Sequence, residues 1–285
     1  MASIDNLMEK NMLKKLSLAA LLAAAFDAQA ANVLVVLSDE HTLDLKAGKT
    51  YQTGAYLNEL MQPVKMLLDA GHSITFATPK GMAPAIDRNS LDPMFFGNDK
   101  AAMEAHRKLL DQLRLTDPVN SPVVSLARVA QQGVGRFDAV FVPGGHAPMQ
   151  DLLKDESLGK VLTAFHNAGK PTALVCHGPA ALLSALPDTK GFALKMEQKG
   201  SAPHPNWIYA GYKVTVFSNA EEEASKAQLN GGEMKFTPQT ALEQAGLKFS
   251  AAGLWQSNVV VDRELITGQN PFSAPAVGAE LLKRL

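Results

Sequence analysis

One short run of this chain, Asn32-Val-Leu-Val-Val-Leu37, is apolar without alternation, and Phe137-Asp-Ala-Val-Phe-Val142 and Pro171-Thr-Ala-Leu-Val175 read as further strands. A strand with one wet face alternates apolar and polar residues, whereas a strand covered on both faces does not. Such a pattern implies a parallel sheet with helices on both sides. The second and third of these segments stop abruptly in turns of small residues, Pro143-Gly-Gly-His146 and Cys176-His-Gly-Pro179. Sheets of this kind bind ligands at the carboxyl ends of their strands, which is where both turns fall.

The segments between the runs carry helical spacing. Leu57, Leu60, Val64, Leu67 and Leu68 predict a helix within 53–70 that stops at Gly71. Further helices are predicted over 101–115, 158–168, 180–186 and about 238–245, with a last one from about Ser273. Additional strands are predicted at 73–77, 212–217, 259–261 and 265–267, and residues 80–98, rich in Pro, Gly, Asn and Asp, as a long loop. There is no internal repeat and no linker-like boundary, so 31–285 reads as a single α/β domain.

Composition narrows the function classes. With 46% hydrophobic and 19% charged residues, the chain is neither disordered nor a coiled coil. The 27 basic and 28 acidic residues leave a net charge of −1, which argues against a general nucleic-acid binder. A single cysteine, Cys176, excludes an intramolecular disulfide and a Cys-rich zinc module. The histidines at 41, 72, 106, 166 and 204 show no convincing ligand spacing, so neither a metal nor another cofactor is expected. Gly231-Gly232 lacks the context of a phosphate loop.

Residues 12–30, MLKKLSLAALLAAAFDAQA, combine two lysines, an apolar run of about ten residues and an Ala28-Gln-Ala30 cleavage pattern. This is the layout of a secretory signal peptide, with cleavage after Ala30 and Ala31 as the new N-terminus. The run is too short to span a bilayer. Met1 or Met12 can serve as the start. The expectation is a periplasmic or secreted protein with no membrane association after signal removal.

In Ala173-Leu-Val-Cys-His-Gly-Pro-Ala-Ala181 a strand ends directly in a cysteine, and small residues then open a helix. That is the layout of a nucleophile elbow. The helix start is expected to lower the thiol pKa. The segments 137–146, 175–179 and Leu265-Ile-Thr-Gly-Gln-Asn-Pro271 resemble those of the ThiJ/PfpI superfamily, whose sheet is similar to class I glutamine amidotransferase domains. The long insert around 80–130 is similar to the larger branch of heat-shock chaperones and glyoxalase III enzymes. The resemblance spans roughly 32–285 and implies a flavodoxin-like sandwich with helices on both faces. It also implies a homodimer.

The resemblance assigns the acid beside the cysteine to Glu59, and His177 is the natural histidine of a triad. The position of the orienting acid is occupied by Asn219, a departure from the family pattern, and an amide can still orient an imidazole. Glu221 or Glu222 is the alternative acid, although a three-Glu run usually opens a solvated helix. Gly144-Gly145 can turn a backbone N–H toward the thiol, so the N–H groups of Gly145 and His177 are the candidate oxyanion donors. His146 and Trp255 are candidate substrate contacts, and Asn258 is a further pocket candidate.

By this resemblance the chain is a cysteine-dependent enzyme acting on small reactive carbonyls. The expected reaction is a glutathione-independent glyoxalase III step from methylglyoxal to lactate, a lyase of the D-lactate dehydratase type, or related deglycation. A Cys-dependent amidase or peptidase is a second reading, disfavoured by Asn219. A holdase chaperone or a redox-active stress-response protein is a third.

Overall fold

The fully apolar strands feed two cores at once. The computed structural model describes residues 30–200, 203–204 and 206–285; the expected signal segment up to residue 29 lies outside them. In β1 (Asn32–Val36), Leu34 and Val36 join Val140, Val142 and Leu174 in one core. Val33 and Val35 join Ala139, Phe141, Ala173 and Val175 in the other. All of these side chains are fully buried, and each contributes on the order of 1.5–3 kcal/mol when it is a Val, Leu or Phe. Alternation is lost from the sequence because both sides of the sheet are interior.

Seven strands form the main sheet, in the order β10-β11-β7-β6-β1-β4-β5. They are β4 (Ser73–Thr78), β5 (Val124–Ser125), β6 (Ala139–Val142), β7 (Thr172–Val175), β10 (Val259–Asp262) and β11 (Leu265–Gly268) with β1. All pairings are parallel except that of β10 with β11, an antiparallel edge. This is the expected α/β sandwich.

The principal helices are α1 (Leu57–Asp69), α2 (Lys100–Gln112), α3 (Leu126–Gln132), α4 (Glu156–Asn167), α5 (Thr189–Glu197), α6 (Asn219–Ser225), α7 (Pro238–Gln244) and α8 (Ala274–Leu282). In α1, Leu57, Leu60, Val64 and Leu67 are fully buried, as their spacing implies. Pro63 lies inside this helix and removes the N–H that would bond the carbonyl of Glu59. None of the described helices is long and apolar enough to cross a membrane.

Several elements differ from the sequence reading. The strand expected at 212–217 is shortened to β8 (Lys213–Val214), which pairs with β9 (Lys248–Phe249) outside the main sheet. The edge that β8 would otherwise extend is occupied by antiparallel β10. The expected helix at 180–186 is a 3₁₀ segment over Gly178–Ala185. A hairpin of β2 (Thr42–Asp44) and β3 (Thr50–Gln52) and the helices α3 and α5 carried no signal strong enough to be read; each is short and only partly apolar.

Candidate active site

The end of β7 delivers Cys176 in a left-handed conformation, φ +60°. For a residue with a Cβ this costs about 1–2 kcal/mol. The conformation is held from both sides: the Cys176 N–H donates to the Gly268 carbonyl at 2.9 Å, and its carbonyl accepts from Phe217 N–H at 3.0 Å. The thiol is buried, 2% exposed.

The end of β6 supplies the facing wall. At Gly144 a Cβ would lie 2.6 Å from Glu59 Oε2 and 2.7 Å from the Cβ of Cys176, so only glycine fits. Gly145 adopts φ +86° with the Gly54 carbonyl against its α-carbon, again a glycine requirement. The N–H groups of Gly145 and His177 are directed at the Cys176 sulfur.

Glu59, in the first turn of α1, is completely buried. Its Oε2 accepts from Gly144 N–H at 2.8 Å, and its carboxyl lies against the thiol. Burial pushes its pKa from the ordinary 4.5 up to about 8, although the thiol and the Gly144 N–H pull the other way. The cysteine does not behave as the helix-start argument expects. Burial, followed by the Glu59 charge, pushes the thiol well up, and the Gly145 and His177 N–H groups offset only part of this. The segment after the cysteine is 3₁₀ rather than a long α-helix, so it brings no extended dipole to bear.

His177 Nδ1 lies 3.3 Å from Cys176 Sγ, and its Nε2 lies 2.9 Å from Glu222 Oε1. The imidazole is 1% exposed and stacks on Phe217, ring centroids 4.7 Å apart. With the Nε2 proton turned to Glu222, Nδ1 is left to accept from the thiol. Burial pushes the Glu222 carboxyl up, but the His177 and His146 rings outweigh it and hold the pKa below its ordinary value.

Asn219, the residue expected to orient His177, does not reach it. As the first residue of α6 it is exposed, donates from Nδ2 to Thr240 Oγ1 at 3.1 Å and accepts from Thr237 Oγ1 at 2.6 Å. The next turn of the helix brings Glu222 to the imidazole instead. The three-Glu run is therefore not a solvated face. A capping box formed by Ser218 and Glu221 sets the phase of α6. Glu221 is buried and gathers Trp255 N–H, Gln269 Nε2 and Asn270 Nδ2. Only Glu223 faces solvent.

His146 is buried and stacks beside His177, centroids 4.3 Å apart. Burial, then the neighbouring His177, push its pKa down to about 3, so it is neutral. Trp255 is 38% exposed and packs on Phe217. Both border a cavity of about 30 Å³ with Tyr56, Phe95, Cys176 and Phe217. Asn258 lies elsewhere, its Nδ2 donating to Thr215 Oγ1 and Gln269 Oε1.

One end of an α/β sheet thus carries a strained cysteine elbow, a buried glutamate against the thiol and a histidine–glutamate pair. Residues 51–231 match the family described as ThiJ/PfpI family-like, and the chain belongs to this family. The protein/nucleic acid deglycase HchA of Staphylococcus aureus is 26% identical over 251 residues, covering 86% of this chain and 77% of that protein. Among solved structures, the Rapid Encystment Protein 24 KDa of Francisella tularensis superposes with a TM-score of 0.67 at 26% identity, covering 89% of this chain and 98% of that one. Glyoxalase III from Candida albicans shares the fold, with a TM-score of 0.65, 20% identity and coverage of 90% and 97%. The Staphylococcus relative is named for action on nucleic acid as well as protein, so the charge-based expectation of no nucleic-acid partner finds no support. Net charge bears on tracking along phosphates, not on chemistry at a single base.

Proposed function

We propose that this protein is a cysteine-dependent enzyme for small reactive aldehydes that converts methylglyoxal to lactate without glutathione. The observation that carries the reading is the buried arrangement of Cys176 between Glu59 on one side and His177, backed by Glu222, on the other. The thiol passes its proton to His177 Nδ1, and the sulfur adds to the aldehyde carbon to give a hemithioacetal. The N–H groups of Gly145 and His177 face the oxygen that gains charge. Ionised Glu59 takes the proton from the former aldehyde carbon and returns it to the neighbouring carbon, while the proton held by His177 passes to the oxygen on that neighbouring carbon, which leaves a lactoyl thioester on Cys176. Water then breaks the thioester, releasing lactate and restoring the thiol. The sum is one methylglyoxal plus one water to one lactic acid.

The cavity of about 30 Å³ holds roughly two waters, which suits a three-carbon substrate with modest adjustment of Trp255 and the aromatic wall. Deglycation of adducts formed by the same aldehyde is the second reading, favoured by the deglycase relative. The test is lactate release from methylglyoxal by the 285-residue chain without glutathione. Lactate formation that is lost in Cys176→Ala supports the glyoxalase. No lactate from the folded wild type, with release of free amine from a methylglyoxal-modified amine, transfers the proposal to the deglycase.

A further inference from the structure

We propose that His146, His177 and Glu222 form a binding site for a divalent first-row transition ion, zinc by the chemistry of the donors, and that this ion switches off the cysteine. One ligand atom from each residue lies within 4.8 Å of the others, and all three residues are buried. Glu222 is shared, with Oε1 at 2.9 Å from His177 Nε2 and Oε2 at 4.0 Å from His146 Nε2. In a tetrahedral zinc site with bonds of about 2.0–2.1 Å, neighbouring donor atoms stand about 3.3 Å apart. The two separations straddle that value.

The second observation is His146 itself. It is 3% exposed, and neither ring nitrogen has a hydrogen-bond partner. A buried polar group left unmade is unusual in a folded protein. Its Nε2 points at Glu222, while Tyr51 and His177 pack against the ring. A metal ion would give that nitrogen its partner. Two imidazoles and one carboxylate are a donor set of open zinc sites, in which water or substrate takes the fourth position. The adjoining cavity, bordered by His146 and His177, has room for that water. The other acidic cluster among the described residues, Asp39, Glu40 and Asp151, offers only oxygens and suits hard cations instead.

Cys176 is not a ligand, because its sulfur meets Nδ1, the opposite edge of the His177 ring. A metal on Nε2 moves the ring proton to Nδ1. That nitrogen then donates toward the sulfur and can no longer accept the thiol proton. Metal occupancy and thiol activation therefore exclude each other. This consequence for activity rests on the proposed function; the binding itself does not.

The test uses the untagged 285-residue chain stripped of metal with a chelator. Cobalt(II) is titrated in and followed by its visible ligand-field absorption, and zinc is then added to displace it. The expected result is one cobalt per chain, without a thiolate charge-transfer band. His146→Phe, which keeps the ring packing but has no donor, weakens binding at least about 100-fold, the upper end of what losing a mere supporting partner costs. Glu222→Gln does the same, and Cys176→Ser binds as the wild type does. Circular dichroism confirms that each variant is folded. One equivalent of zinc lowers lactate formation at least tenfold, and a chelator restores it. Absence of the ligand-field band, or unchanged binding by folded His146→Phe and Glu222→Gln, overturns the site. Binding without loss of lactate formation overturns the switch. An inactive wild type that still binds cobalt through His146 leaves the site standing and counts against the proposed function alone.

Discussion

Replacing Glu59 with Gln should make the protein more stable at alkaline pH, because burial of this carboxyl favours its protonated form. Its pKa rises from 4.5 to about 8 on folding. The sign follows from proton counting. Between these values the unfolded chain has released the proton and the native protein still holds it, so stability falls as pH rises. Integrated from pH ~5 to pH ~8, the loss is about 3 to 4 kcal/mol. Glu59→Gln keeps the shape, still accepts from Gly144 N–H and has no charge to bury. Urea unfolding of wild type and variant at both pH values gives the difference of differences, in which the other titrating groups cancel. The variant should gain several kcal/mol relative to wild type on going from the lower to the higher pH. A stability difference that is the same at both pH values would refute the argument that burial dominates at Glu59.

The same carboxyl predicts the pH dependence of the reaction: kcat/KM should rise as pH rises through about 8, because Glu59 must be ionised to take the proton from the aldehyde carbon, and a rate that falls through this pH would contradict that role. Gly144→Ala should destabilise the protein by about 1–3 kcal/mol and cut activity, since the new methyl meets Glu59 Oε2 and the Cys176 Cβ below 3 Å; unchanged denaturant midpoints and rates would contradict the packing described. In a bacterial host the exported chain should begin at Ala31, which mass spectrometry of the periplasmic fraction checks; recovery there of a chain that retains residues 12–30 would contradict the signal reading.

Much of the fold was legible because both faces of β1, β6 and β7 are interior, which leaves continuous apolar runs that no single-faced strand would carry. The cysteine elbow was legible for a related reason: Gly144, Gly145 and Gly178 sit where backbones approach too closely for a side chain. The acid partner of His177 was not. Asn219 matched the family position in sequence, but the phase of a helix depends on where it starts. The Ser218–Glu221 capping box, itself visible as Ser-Asn-Ala-Glu, sets that start and turns Glu222 inward. The thiol pKa was misjudged for a different reason. Local sequence shows the helix start but neither the burial of the thiol nor Glu59, which α1 carries in from more than a hundred residues away.

The account rests on Cys176 acting with a His177–Glu222 pair, and the most direct test is kcat/KM for lactate formation from methylglyoxal in four proteins side by side. Wild type should be active without glutathione, and Cys176→Ala should be inactive. Glu222→Gln should lose about 100-fold or more, as expected when the group that orients a catalytic imidazole is neutralised. Asn219→Ala should stay within about twofold of wild type, since among the described residues its side chain bonds Thr237 and Thr240 rather than His177. An Asn219→Ala protein as impaired as Cys176→Ala, beside a fully active Glu222→Gln, would contradict the site described.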